Sequence, residues 1–482
     1  MPPVTTVAFR TLGCKLNQCE TAQMEESLTA RGLELVPWSH TAHVRVLNTC
    51  TVTGKTDRSC RNEIGRVRRS DPASRLVVTG CYAQVAAETI AAIPGVDLVL
   101  GNVDKAGLAE HIHKLLDSPK IPVSVAPLEP APENARESAA PTMVTPYTVD
   151  TTFAGDFVTH FSGYTRAFLK VQNGCDSRCS YCVIPVARGP SRSMPLADVL
   201  EQVRVLTARG YREVVLTGIH LGRWGHDADE GSLADLLRVL IDETSASRFR
   251  LSSIEPLEVD ERLLGVTRAA GARFAEHFHM PLQSGSATVL RRMNRPYSVA
   301  QYSERVLAVR EAFPDAAIGA DVIVGFPGES EYEFAETMEL VSRLPLTYLH
   351  VFPYSDRPGT EASRASDKVA PYIVSERSAR LRALGRAKDA TYQAGFAGRK
   401  LRALVLRQLS EDGRLVSLTG NYMEVLVDHD DDLINEFVLV VPRRREVDGR
   451  WEGEVAAGRP DADRPDADSA HSQPSFLPRA SR

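Results

Sequence analysis

Cys175, Cys179 and Cys182 stand in the spacing C-x3-C-x2-C directly after an apolar run, Ala167–Gln172, which opens a series of alternating strand-like and helical stretches. That placement constrains the fold more than any other feature of the 482 residues. Thiolates at this spacing share one loop, and loops after the strands of a βα array lie at the end where such folds carry their chemistry. Three thiolates hold three irons of a four-iron cluster and leave the fourth iron open to a ligand. A structural zinc knuckle usually takes four ligands as paired C-x2-C units, and only one C-x2-C is present here. Zinc and a chance grouping of small buried cysteines remain as alternatives from spacing alone.

The array spans residues 164–390. Strand-like runs near Ala167–Gln172, Glu213–Thr217, Phe249–Ile254, His277–Leu282, Gly319–Gly325 and Tyr348–Phe352 alternate with helical patterns, which predicts a partial (β/α) barrel. Residues 1–118 alternate in the same way, with apolar runs at Val7–Thr11, Val44–Leu47, Leu76–Thr79 and Val96–Leu100. Helical patterns such as Thr21–Arg31 and Ala83–Ile93 lie between them, so a separate parallel α/β domain is expected. Residues 119–163 crowd seven prolines and read as a linker. Residues 395–456 switch to short β-like runs, Leu401–Arg407, Val416–Leu418, Met423–Val427 and Phe437–Val441, as a small β-barrel would. Residues 457–482 are poor in apolar side chains and read as a disordered tail. The expected fold class is therefore α/β, in three folded parts.

Three further cysteines share a context. Cys14, Cys50 and Cys81 each close an apolar strand, in VAFRTLGC, VRVLNTC and LVVTGC. Parallel strands end on one edge of their sheet, so thiols far apart in sequence meet there. Small residues filling tight strand ends are the equal alternative. Cys19, on a predicted helix, and Cys60, in a basic helix, lack that context and read as free thiols.

Net charge is −5, so a nucleic-acid footprint has to be local. Lys55, Arg58, Arg61, Arg66, Arg68 and Arg69 form one basic segment, and Arg377, Arg380, Arg382, Arg386 and Lys388 another. Either fits RNA phosphates, and either fits a solvated helix face. No apolar run approaches the roughly 18 residues of a membrane span. The N-terminus lacks the basic and apolar regions of a signal peptide. No membrane association and a cytoplasmic location are expected.

The cysteine loop, with the aromatic Tyr181 before its last cysteine, resembles the radical S-adenosylmethionine (SAM) superfamily. The resemblance implies a [4Fe–4S] cluster on Cys175, Cys179 and Cys182 whose unique iron binds SAM and whose electron cleaves it to a 5′-deoxyadenosyl radical. It also implies cofactor contacts from Tyr181, from Thr217 and Gly218, from Ser253 and Glu255, and from Gln283. Each of these, read alone, is equally an ordinary loop residue. The whole order of parts, over residues 5–456, resembles the methylthiotransferases, through LGCKLNQ (12–18), NTCTVT (48–53), TGCYAQ (79–84), NGCDSRCSYCVIPVARG (173–189) and PLQSGS (281–286). In that family three N-terminal cysteines hold a second, auxiliary [4Fe–4S] cluster, which assigns Cys14, Cys50 and Cys81 to it.

GCKLNQ and LTGIHLGRWG (216–225) look most like the branch acting on N6-threonylcarbamoyladenosine in tRNA. The branches acting on isopentenyladenosine in tRNA, or on an aspartate of a ribosomal protein, are the alternatives. A non-enzymatic iron–sulfur RNA-binding protein is the alternative from another class. The resemblance implies that one SAM methylates a sulfur on the auxiliary cluster and that a second drives transfer to C2 of the base. An electron donor such as flavodoxin or ferredoxin is then needed. Arg188 and Arg192 are placed to hold a substrate carboxylate or phosphate, or to tie the cysteine loop down by an ion pair.

Overall fold

A computed structural model describes residues 4–118, 139–148, 150–153 and 157–456. The first compact unit comprises residues 1–395 with 420–422, and the second comprises the remaining C-terminal residues.

The first unit opens with a six-stranded parallel sheet: β1 (Thr6–Thr11), β2 (Glu34–Leu35), β3 (Val44–Thr49), β4 (Arg75–Gly80), β5 (Leu98–Leu100) and β6 (Thr142–Met143), in the order β2-β1-β3-β4-β5-β6. Its inner strands β3 and β4 are buried at every position, because both faces are covered. Val44, Val46 and Val77 pack with Met24 and Leu28 of helix α1 (Lys15–Thr29). Leu47, Leu76 and Val78 face the other way, onto Ile64 and Val67 of helix α2 (Gly54–Ser70). Each fully buried aliphatic side chain of this kind contributes about 1.5–3 kcal/mol.

Six more parallel strands form the barrel. β7 (Ala167–Lys170), β10 (Glu213–Thr217) and β11 (Arg248–Leu251) make one half, and β12 (His277–His279), β13 (Ala317–Val324) and β14 (Tyr348–Pro353) the other. A bridge between Ser253 and His279 joins the halves. A two-stranded ribbon, β8 (Gln172–Asn173) with β9 (Arg192–Ser193), flanks the cysteine loop. The second unit closes a five-stranded barrel from β15 (Leu401–Leu409), β16 (Leu415–Thr419), β17 (Glu424–Val427), β18 (Phe437–Arg445) and β19 (Trp451–Val455).

The structure departs from the sequence reading in four places. Helix α1 begins at Lys15, six residues earlier than its apolar pattern, because Cys14 takes the N-cap position. The stretch read as one helix, Ala83–Ile93, is two short ones, α3 (Cys81–Val85) and Ala87–Ala91, broken at Ala86. Strand β19 has no alternation strong enough to be read. Of the residues taken as a linker, 119–138 lie outside the described residues, whereas Thr142–Met143 pairs with β5 and Val158 and Phe161 are buried in the barrel core. The tail at 457–482 also lies outside the described residues.

Candidate functional site

The cysteine loop leaves β8 through Gly174, whose φ is +79°. A Cβ there would meet the Pro190 carbonyl oxygen at 1.8 Å, so only glycine fits. Each thiol of the loop then has an N–H donor. The Ser177 amide donates to Cys175 Sγ at 3.4 Å, the Ile184 amide to Cys182 Sγ at 3.4 Å, and Arg295 Nη1 to Cys179 Sγ at 3.3 Å. His220 Nδ1 lies 3.6 Å from Cys175 Sγ, with Glu258 at 2.7 Å from its other nitrogen. Burial pushes the Cys182 thiol up to about 12. Burial also opposes ionisation of Cys175, but His220 and Ser177 outweigh it and hold that thiol below its usual range. A cavity of about 540 Å³ opens onto all three sulfurs, between Tyr147, Pro190 and Thr360.

Cys14, Cys50 and Cys81 follow β1, β3 and β4, three neighbours in the sheet, and so meet at one edge. Gly13, at φ +110°, permits the approach: a Cβ on it would lie 2.5 Å from Cys50 Cβ. Cys14 is exposed, yet protein surrounds it closely enough that burial pushes its thiol up, against the pull of Arg188. Burial and the neighbouring Cys81 push Cys50 to about 12. Cys14 makes no side-chain cap bond to its own helix, which leaves the sulfur available.

Neither set is drawn together as tightly as the ligands of a single ion. Among the described residues no three of these thiols lie within 4.8 Å of one another. Sulfurs around one zinc, at 2.3 Å from it, stand only about 3.8 Å apart. Hydrogen bonds to the loop sulfurs, from Ser177, Ile184 and Arg295, are of the kind that tune iron–sulfur clusters. Thiols raised by burial bind as thiolates only when a metal supplies the opposing charge.

Arg188 connects the two sets. It is fully buried and comes from the helix Ile184–Arg188 just after the cysteine loop. Its Nε donates to Cys81 Sγ at 3.1 Å, and its Nη2 to Asn17 Oδ1 at 2.5 Å. Its Nη1 donates to Glu20, which also accepts from Lys105 and pairs with Lys170. Arg188 is thus an ion pair within the protein and is not held out for phosphate. Arg192 donates to the Arg188 carbonyl and lies over the Tyr147 ring.

The residues read as cofactor contacts fall on the loops after β8, β10, β11 and β12. Glu255 accepts from Arg295, which ties it to Cys179. Thr217 is buried at the end of β10, and the loop through Gly218 brings His220 to Cys175. Ser253 is exposed. Gln283 sits at φ +64°, a conformation that costs a non-glycine residue about 1 kcal/mol or more and that recurs at functional sites. Tyr181 packs edge-on against Phe326. Cys19 and Cys60 are both buried, and Cys60 lies beside the Cys14, Cys50 and Cys81 set, its Sγ donating to the Cys50 carbonyl.

Sequence reading missed a polar lining inside the barrel. Glu213 on β10 accepts from Arg250 at 3.0 Å and from Arg248, and pairs with Arg166 at 3.4 Å. Lys15, beside Cys14, shares that surrounding: burial first, then Arg166 and Arg250, bring its amine down to about 8. Burial and Arg250 hold His277 neutral. Alternate positions on separate strands supply these groups, so no contiguous motif announces them. Much of the basic segment 377–388 is engaged within the protein: Arg377 pairs with Glu329 and Glu331, Arg380 with Glu331, and Lys388 donates to two carbonyls, while Arg386 is exposed.

Comparison with known proteins gives the same division. Residues 6–101 match the uncharacterized protein family UPF0004, and residues 169–341 match the radical SAM superfamily. The chain is 40% identical over 419 residues to the threonylcarbamoyladenosine tRNA methylthiotransferase MtaB of Aquifex aeolicus, covering 87% of this chain and 96% of the relative. It is 37% identical over 441 residues to the protein of the same name from Bacillus subtilis, covering 91% and 93%. A tRNA-2-methylthio-N(6)-dimethylallyladenosine synthase of Sphingopyxis alaskensis is 34% identical over 418 residues, covering 85% and 89%. Among solved structures, the radical SAM methyltransferase TsrM of Kitasatospora setae, with cobalamin and a [4Fe–4S] cluster bound, matches with a TM-score of 0.54 at 17% identity, covering 75% of this chain and 77% of that one. That likeness shows the fold alone.

Proposed function

Because the chain belongs to the radical SAM methylthiotransferases, we propose that it places a methylthio group on C2 of N6-threonylcarbamoyladenosine at position 37 of tRNA. The observation that carries this reading is the convergence of two cysteine sets on one region, with Arg188 bound to Cys81 on one side and following the C-x3-C-x2-C loop on the other. The names of the relatives at 40% and 37% identity supply the substrate.

In this reading Cys175, Cys179 and Cys182 hold the [4Fe–4S] cluster that binds SAM, and Cys14, Cys50 and Cys81 hold the auxiliary one. Together the clusters and SAM supply one-electron chemistry at an unactivated C–H bond, which acid–base groups cannot perform. The chain's own groups orient and tune. Arg295, His220 and the amides of Ser177 and Ile184 donate to the loop sulfurs, and such donors set cluster potential. Glu258 fixes the His220 ring, and Glu255 fixes Arg295. Tyr181, Thr217, Gly218, Ser253, Glu255 and Gln283 are assigned to SAM. The parts fall at 1–118, 164–390 and 395–456. Flavodoxin or ferredoxin is the fitting donor, and the cytoplasm, where tRNA and reductant meet, is the fitting location. No helix among the described residues is long and apolar enough to cross a membrane.

The test is nucleoside mass spectrometry of tRNA from a deletion strain. Loss of the 2-methylthio derivative of threonylcarbamoyladenosine, restored by the intact gene, is expected. Loss of the isopentenyl derivative instead would move the enzyme to the neighbouring branch, to which the 34% relative belongs.

A further inference from the structure

Three side chains in the second half of the barrel meet at one point and belong to neither cysteine set. Strands β12, β13 and β14 are parallel neighbours, with His279 opposite Gly319 and Asp321 opposite His350. Residues two apart on a strand share a face, so His279, Asp321 and His350 stand on the same side of the sheet. His279 Nε2 lies 2.8 Å from Asp321 Oδ1, and His350 Nδ1 lies 3.2 Å from the same oxygen. All three atoms fall within 4.8 Å of one another. Nitrogen and oxygen atoms bound at about 2.0–2.2 Å to one divalent ion stand roughly 3 Å apart, so this spacing is that of a ligand set.

The surroundings of the three fit the same role. A histidine that binds a metal through one nitrogen has the other held by a hydrogen bond, which fixes the ring. Tyr348 does this for His279, its hydroxyl lying 2.9 Å from Nδ1 and 2.7 Å from His277 Nε2. Gly319 makes room for that tyrosine: a Cβ there would lie 2.1 Å from Tyr348 Cζ. The side chains of His279, Asp321 and His350 are 7%, 22% and 56% exposed, so the trio is anchored at one end and open to solvent at the other. An ion therefore has a way in.

We infer that His279, Asp321 and His350 form a site for one divalent transition metal, of the zinc or ferrous-iron class, made of residues distinct from the six cysteines. Two imidazoles and one carboxylate suit ions of that class, whereas calcium and magnesium want a shell of oxygens. Three protein ligands leave a coordination position for water or for an oxygen of a bound molecule. The site does not depend on which base the enzyme modifies.

The test uses the tag-free enzyme carrying its full complement of iron, so that the thiols are already engaged, with zinc as the probe. The protein is washed with a chelator that spares the clusters and mixed with zinc. Loosely held metal is then removed by gel filtration, and zinc and iron per chain are measured by mass spectrometry. Wild type is expected to keep one zinc per chain with its iron unchanged. His350→Ala and Asp321→Asn are expected to keep none at the same iron content. Tyr348→Phe retains all three ligands but loses the hydroxyl at Nδ1, and is expected to bind zinc about 10- to 100-fold more weakly. Wild type without zinc would overturn the inference and leave the three as a hydrogen-bonded triad. Zinc at the wild-type level in His350→Ala or Asp321→Asn would overturn it too, by placing the ion elsewhere. His350 is exposed, so His350→Ala leaves the core intact and decides alone where Asp321→Asn does not fold. Neither result bears on the proposed function, which rests on the cysteines and the relatives.

Discussion

At the scale of single residues, Arg188 is where removal is felt most. Replacing it with Met leaves Glu20 with Lys105 and Lys170 but strips Asn17 and Cys81 of a donor. Breaking a buried charge network of this kind costs about 3 kcal/mol. We expect a clear drop in the denaturant midpoint of Arg188→Met, and a variant as stable as wild type would refute the role assigned to it. Glu333 tests the sign of a pH effect. Burial raises its carboxyl, but hydrogen bonds from Thr288, Ser330 and Arg292 prevail and hold it at about 2. Its stabilisation is therefore full above the ordinary carboxylate value of 4.5 and fades as pH falls toward 2. Glu333→Gln should be less stable than wild type by about 1–2 kcal/mol at pH 7, after discounting for solvent screening. That gap should narrow in unfolding curves run below pH 4.5. The placement of the six proposed cysteine ligands, at strand ends or on one loop, was legible in the sequence. Glu213 was not, since its partners Arg248 and Arg250 meet it only when β10 and β11 pair.

At the scale of elements, the two cysteine sets differ in how they are built. One lies on a single loop, and the other on three parallel strand ends. Replacing Cys175, Cys179 or Cys182 with Ala should abolish reductive SAM cleavage. Replacing Cys14, Cys50 or Cys81 should stop methylthiolation while some uncoupled cleavage persists. Each class should lower iron by about four per chain, the content of one [4Fe–4S] site. Unchanged iron in the second class would return those thiols to filling strand ends. The alternation of apolar runs gave the sheet and the barrel, with boundaries off by a few residues where a cap, as at Cys14, outweighs periodicity. The two-residue strand β6 escaped notice because so short a run carries no period.

At the scale of the whole molecule, a chain of net charge −5 grips RNA only through a local surface. Helix α2 begins four residues after Cys50 and exposes Lys55, Arg58 and Arg69. Most of the second basic segment is engaged by ion pairs and carbonyls, so α2 is the better candidate. Arg58→Ala should weaken tRNA binding and reduce the slope of log K against log salt by about 1, one phosphate contact. An unchanged slope would make α2 a solvated face.

The bond from Arg188 to Cys81 spans 107 residues of chain. During synthesis β1 to β5, which end at Leu100, emerge well before Arg188 leaves the ribosome, so the corner around Cys81 stays unfinished until then. By the time Arg188 arrives, Cys175, Cys179 and Cys182 have emerged as well. The corner around Cys81 is therefore completed only after the whole C-x3-C-x2-C loop exists. If both cysteine sets bind iron as proposed, a cell loading iron into this protein meets both receiving sites in the same interval, and a nascent chain cut short before Arg188 presents neither in finished form.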